Sequence, residues 1–191
     1  MGVLINGAVI YKSRYGATEQ YAGWIGGELK LPVLAPERLD ESIISACDFL
    51  IIGTSVYMGK LLIKDWLGHH KKLLMGKKLF LFIVCGSAAL DLQAQDQIIK
   101  TNLPEGLFTP ESIFFLPGRL SRKDLSLADR MLLRLGARLE EDPIKKASMS
   151  HDIDAVKKEN ITDIIKAVRG FAAKLSPPSP LADRDEPIFP C

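Results

Sequence analysis

The chain has 191 residues, 47% of them apolar and 25% charged, and a formal net charge of +2. That length and apolar share build one compact domain and exclude a disordered or fibrous chain, since 15 glycines and 11 prolines are an ordinary complement. The longest apolar run, Leu79 to Cys85, is far short of the roughly 20 residues a membrane span takes.

The opening Met1-Gly2-Val3-Leu4-Ile5-Asn6 shows no secretory pattern, so a cytoplasmic chain is expected. Cys47, Cys85 and Cys191 are scattered and odd in number, which predicts neither a disulfide framework nor, with His69, His70 and His151 out of ligand spacing, a metal site.

Taken in chain order, short β-branched runs alternate with longer helical periods. Ala8 to Tyr11 is continuously apolar, as a strand buried on both faces must be. A polar loop, Ser13 to Thr18, leads into a helix with Ala22, Ile25 and Leu29 on one stripe, weakened by Gly23, Gly26 and Gly27. Leu31 to Leu34, between Pro32 and Pro36, reads as a short edge strand. Phe49 to Ile52 is the third strand, followed by a loop from Thr54 to Lys60 and one helix carrying Ile63, Trp66, Leu67, His70 and Leu74. Leu79 to Cys85 and Ile113 to Leu116 complete five strands, and Ile161, Ile164, Ile165, Val168, Ala172 and Leu175 mark a last helix with Asn160 as its cap.

Strand, loop and helix in repetition predict an α/β fold with an open parallel sheet covered on both faces. For five strands the order 2-1-3-4-5 is expected, which places a ligand beyond the carboxyl ends of strands 1 and 3. Residues 1–175 read as a single domain, with an insertion at about 119–158 and a disordered Pro-rich tail over 176–191. The insertion holds a stripe of Leu125, Ala128, Leu132, Leu135 and Leu139.

The loop Lys12-Ser13-Arg14-Tyr15-Gly16-Ala17-Thr18-Glu19 suits a phosphate: backbone N–H groups, a helix start, two hydroxyls and one glycine. It matches neither the three-glycine dinucleotide fingerprint nor a nucleoside-triphosphate loop, so a single terminal phosphate fits it best. Taken alone, the loop reads equally well as an ordinary strand-to-helix turn capped by Thr18. Gly53 to Lys60 and Gly86-Ser87-Ala88-Ala89 are two further glycine-bearing loops at the same sheet edge. Together the three form a slot for a planar ring with a phosphate tail, with Tyr57 placed to stack on the ring.

Ser13-x-x-Gly16-x-Thr18, with the Thr54-Ser55…Gly59 and Gly86-Ser87 loops, resembles the FMN site of the flavodoxin fold. Gly118-Arg119-Leu120, Leu125, Asp129-Arg130 and Met131-Leu132 further resemble the flavodoxin-domain family that includes menaquinone-dependent protoporphyrinogen oxidase. The resemblance implies a three-layer αβα sandwich with FMN as cofactor. It implies that Ser13, Arg14, Tyr15, Gly16, Ala17 and Thr18 hold the FMN phosphate. Thr54, Ser55, Val56, Tyr57, Met58, Gly59 and Lys60 would lie along the isoalloxazine, and Gly86, Ser87 and Ala88 along its pyrimidine edge. Arg14 and Tyr15 stand where flavodoxin loops commonly carry Thr.

From Arg119 to Leu139 six basic residues face two acidic ones, a net charge of +4. An amphipathic basic segment of this kind meets membrane surfaces or anionic ligands, and Arg130 and Arg134 fall opposite the Leu stripe. The ordinary alternative is a solvated charged face with that stripe in the core. Interleaved aromatics are missing, so no nucleic-acid role is expected.

The expected function is that of an FMN-dependent oxidoreductase of the protoporphyrinogen-oxidase type. It would pass electrons from an organic substrate to a quinone or similar acceptor, with Arg119 and Arg122 on the substrate's carboxylates. No residue stands out as a catalytic acid or base. An electron carrier docking on redox partners and an NAD(P)H:quinone reductase are the alternatives.

Overall fold

The computed structural model describes residues 6–86, 91–139 and 152–175. The core strands are β1 (Gly7–Lys12), β2 (Val33–Leu34), β3 (Phe49–Tyr57), β5 (Lys78–Cys85) and β6 (Ile113–Pro117), all parallel, in the order β2-β1-β3-β5-β6. That is the predicted 2-1-3-4-5 arrangement. A sixth strand, β4 (Lys60–Leu61), pairs antiparallel with the end of β3.

The sheet is central because its strands are apolar on both sides. Ala8, Ile10, Leu50, Ile52, Leu79, Leu81 and Ile83 enter one core layer. Their alternate neighbours Val9, Ile51, Phe80, Phe82 and Val84 enter the other, as a two-residue side-chain period demands. Helices α1 (Ala17–Leu29) and α7 (Thr162–Leu175) supply Tyr21, Ala22, Ile25, Ile164, Ile165 and Val168 to the second layer. The first layer is covered by α2 (Glu41–Ala46), α3 (Lys64–His69), α4 (Lys71–Leu74) and α5 (Leu92–Asn102) through Ile44, Leu67, Leu74 and Ile98. Gly53 is required at the sheet centre: a Cβ there would lie 2.1 Å from Phe82 Cζ.

Several local expectations change. The helix expected from Ile63 to Leu74 is two helices, α3 and α4, meeting at His70. The segment Thr54–Lys60 is no loop: Thr54 to Tyr57 extend β3, and only Met58 and Gly59, both at positive φ, turn the chain into β4. Asn102 on α5 holds this hairpin by accepting from Leu61 N at 3.1 Å and donating to Gly59 O at 2.9 Å. Asn160 does not cap the last helix. Its Nδ2 donates to Tyr21 Oη at 2.7 Å and to Ala155 O at 2.9 Å, and Tyr21 Oη donates to Pro117 O at 2.8 Å, tying α1, β6 and the final segment together.

The insertion leaves the sheet at β6. Strand β7 (Arg119–Leu120) pairs antiparallel with β8 (Ile153–Asp154) and closes its base, and α6 (Leu127–Leu139) runs between them. Residues 140–151 and the tail 176–191, with His151 and Cys191, lie outside the described residues. Among the described residues no helix is long and apolar enough to cross a membrane.

Candidate functional site

β1, β3 and β5 end at one edge of the sheet, and the insertion bends back over that edge. Between them lies a cavity of about 620 Å³. Eleven of the sequence-predicted residues line it: Ser13, Arg14, Tyr15, Ala17, Thr18, Ser55, Val56, Tyr57, Met58, Gly86 and Arg119. The far wall is separate from the three glycine-bearing loops. It comes from the insertion, with Leu120, Leu125, Asp129, Leu132, Leu133 and Gly136.

Helix α1 starts at a glycine turn. Gly16 is its N-cap at φ 81°, a left-handed conformation that favours glycine, and no side chain caps the helix. Ser13 Oγ accepts from Gly16 N at 3.0 Å and fixes the turn. The first helical N–H groups have no intrahelical acceptor and carry the positive end of the helix dipole. Thr18 is not the cap that a bare turn would need. It sits inside the first turn, fully buried, and its Oγ1 has no hydrogen-bond partner. Ser55 Oγ, on the β3 side of the cavity, is likewise buried and unpartnered.

Arg14, Tyr15 and Tyr57 converge on Asp129, a residue whose position in the sequence shows no sign of this role. Its side chain is buried, and its carboxylate accepts from the hydroxyl of Tyr15, from Tyr57 Oη at 2.5 Å and from Arg14 Nη2 at 2.9 Å. Asp129 N donates to Ser126 Oγ at 3.1 Å. The hydrogen bond from Tyr15, then those from Tyr57 and Arg14, hold the Asp129 carboxyl far below the usual carboxylate range. The same carboxylate raises the Tyr57 phenol. Arg14 also lies 3.9 Å from the Tyr57 ring centroid, so one ring face carries a guanidinium. Through Asp129, α6 is fastened to the loop between β1 and α1 and to the end of β3.

Of the other predicted residues, Gly16, Thr54, Gly59, Lys60 and Arg122 are absent from the cavity wall. Thr54 is buried, with Oγ1 accepting from Ile63 N at 3.3 Å. Lys60 is exposed in β4. Arg119 faces the cavity with Nε on Asp154 Oδ2 at 2.8 Å and Nη2 on Gln20 Oε1 at 2.9 Å. Arg122 lies outside, its N–H on Asp152 Oδ1 at 3.0 Å. Ser87 and Ala88 fall outside the described residues. Cys85 lines the floor, and burial pushes its thiol up to about 12, so it is a small apolar wall group at neutral pH.

A family model for the flavodoxin domain matches residues 8–146, nearly three quarters of the chain. The chain belongs to the flavodoxin domain family. As a flavodoxin-domain protein it is also similar in fold to several solved structures. Rubredoxin oxygen:oxidoreductase from Desulfovibrio gigas is 13% identical with a TM-score of 0.49, over 86% of this chain and 36% of that one. This chain therefore spans little more than a third of that protein's length. A flavodoxin, WrbA-like protein from Agrobacterium tumefaciens is 18% identical, TM-score 0.45, over 85% of this chain and 98% of that one. Flavodoxin 1 from Bacillus cereus is 16% identical, TM-score 0.41, over 76% and 97%. No curated protein matches the chain.

Proposed function

We propose that this flavodoxin-domain protein binds FMN and is a flavin-dependent oxidoreductase of the protoporphyrinogen-oxidase type. It would take electrons from a small organic substrate and deliver them to a quinone or similar acceptor in a reducing cytoplasm. The observation that carries the reading is the buried, unpartnered Thr18 hydroxyl at the head of an uncapped helix. A buried hydroxyl with no partner costs about 1–3 kcal/mol, and a phosphate oxygen at the helix start relieves it together with the free N–H groups. The residues present therefore fit the group: Thr18 and the α1 N–H groups would hold the phosphate, and Ser13 keeps the Gly16 turn in shape.

Ser55 Oγ offers the second unpartnered polar atom, suited to the polar edge of the ring system. Bound FMN supplies the electron-transfer chemistry. The chain's own contribution is placement and exclusion of water, because Leu120, Leu125, Leu132 and Leu133 make the facing wall apolar. Arg119, held by Asp154 and Gln20, is the cation in that wall for an anionic substituent of the substrate.

An apolar wall across the cavity favours a small substrate over a docking protein that must reach an open flavin edge, which supports an enzyme over a carrier. The test is an absorbance titration with FMN, then turnover of protoporphyrinogen with a quinone. A perturbed flavin spectrum and quinone-dependent oxidation are expected. Lack of binding at saturating FMN overturns the reading. Binding followed by rapid bleaching with NADH or NADPH assigns the reductase instead, and one-electron steps without turnover of either kind assign the carrier.

A further inference from the structure

The two long faces of α6 meet different surroundings. Asp129, Leu133 and Gly136 turn to the cavity. Leu127, Met131 and Leu135, one helical turn apart, turn to solvent with 79%, 72% and 56% exposure. The Leu stripe predicted for the core is thus not buried as a unit: Leu125 is covered, while Leu132 and Leu135 are exposed at 43% and 56%. Met58, 65% exposed at the hairpin turn, and Leu132 both line the cavity, so the apolar patch reaches its mouth.

Charge accompanies the stripe. Asp129 is the sole carboxylate in α6, and it is spent inward on Arg14. Arg122, Lys123 and Arg138 are exposed on the same segment, with Asp124 the exposed carboxylate among them. Arg130 turns back, with Nε donating to Leu125 O at 3.1 Å and Nη2 to Lys123 O at 2.9 Å. The Arg134 side chain lies outside the described residues. The outward side of this helix, with the turn that precedes it, therefore combines an apolar row with a net positive charge.

We propose that the outward face of α6 docks on an anionic lipid surface, with Leu127, Met131 and Leu135 at the acyl boundary and Lys123 and Arg138 among the headgroups. The headgroup region accepts both parts of such a face at once: apolar side chains bury shallowly, and each basic residue adds attraction to anionic lipid. A second copy of the chain suits the patch poorly, because pairing would bring two faces of net positive charge together. Docked this way, the cavity mouth at Met58 and Leu132 borders the lipid, where a lipophilic substrate or acceptor enters directly.

The experiment is co-sedimentation of the full chain with phosphatidylglycerol-rich vesicles and with phosphatidylcholine vesicles. Binding to the former and little to the latter is expected. Lys123→Ala and Arg138→Ala should each weaken it about fivefold. Met131→Gln should also lower it, with circular dichroism unchanged because the side chain is exposed. Failure to bind either vesicle, equal binding to both, or full binding by Met131→Gln overturns the proposal. A concentration-dependent dimer abolished by Met131→Gln overturns it too, and assigns the face to a second copy. Vesicle binding needs no flavin, so this result and the FMN titration are read separately.

Discussion

Asp129 shows how one carboxylate can organise a site. Its partners Arg14, Tyr15 and Tyr57 stand 115, 114 and 72 residues away in sequence, on two other elements. Because those donors favour the charged form, the folded protein binds this proton less readily than the unfolded chain does. The stability Asp129 contributes is therefore complete above the unfolded carboxylate pKa of about 4, and is lost as pH falls from there through the lower folded value. Asp129→Asn keeps the shape and removes the charge. It is expected to unfold at lower urea concentration than the parent at pH 7, with the gap closing as pH falls below about 4. An unchanged midpoint at pH 7 would count against the cluster. Asp129 was visible in the sequence only as part of a resemblance, since a lone Asp among arginines on a helix reads as solvated.

At the scale of elements, the hairpin of β3 and β4 decides where Tyr57 and Met58 stand. Asn102 holds it with one acceptor and one donor contact, and itself donates to Ile98 O at 3.0 Å within α5. Asn102 is 2% exposed, so Asn102→Ala leaves the Leu61 N–H and the Gly59 carbonyl without that partner. A loss of about 1–3 kcal/mol is expected in urea denaturation, together with weaker FMN binding through displacement of Tyr57. Unchanged stability and unchanged FMN affinity would remove Asn102 from the site's support. A two-residue strand such as β4 leaves no periodic signal, which is why Thr54–Lys60 reads as a loop. The turn at His70 is hidden for a related reason: α3 and α4 keep one apolar stripe in register across the break. On α6 the spacing alone admits several faces, and the Asp129 contacts choose the one that turns inward.

For the whole molecule, the cavity exists because the sheet edge and the insertion face each other. A ligand that binds only this folded arrangement must stabilise all of it. FMN at a hundredfold excess over its dissociation constant should raise the melting temperature by about 5–10 °C. Riboflavin at the same concentration should raise it less, since it brings no phosphate to α1. Equal shifts from the two ligands would take the phosphate away from Thr18.

Residues read in chain order already carry the parallel sheet and the glycine-marked turn into α1, and the crossover rules then narrow the strand order. A strand buried on both faces must be apolar throughout, and a left-handed cap favours glycine; both are local demands that local residues state. Long-range packing set the rest: Arg14 and both tyrosines meet Asp129, Thr18 is orphaned rather than capping, and α6 turns Leu127, Met131 and Leu135 to solvent. Those outcomes rest on contacts between residues far apart in the chain, and no window of sequence carries them.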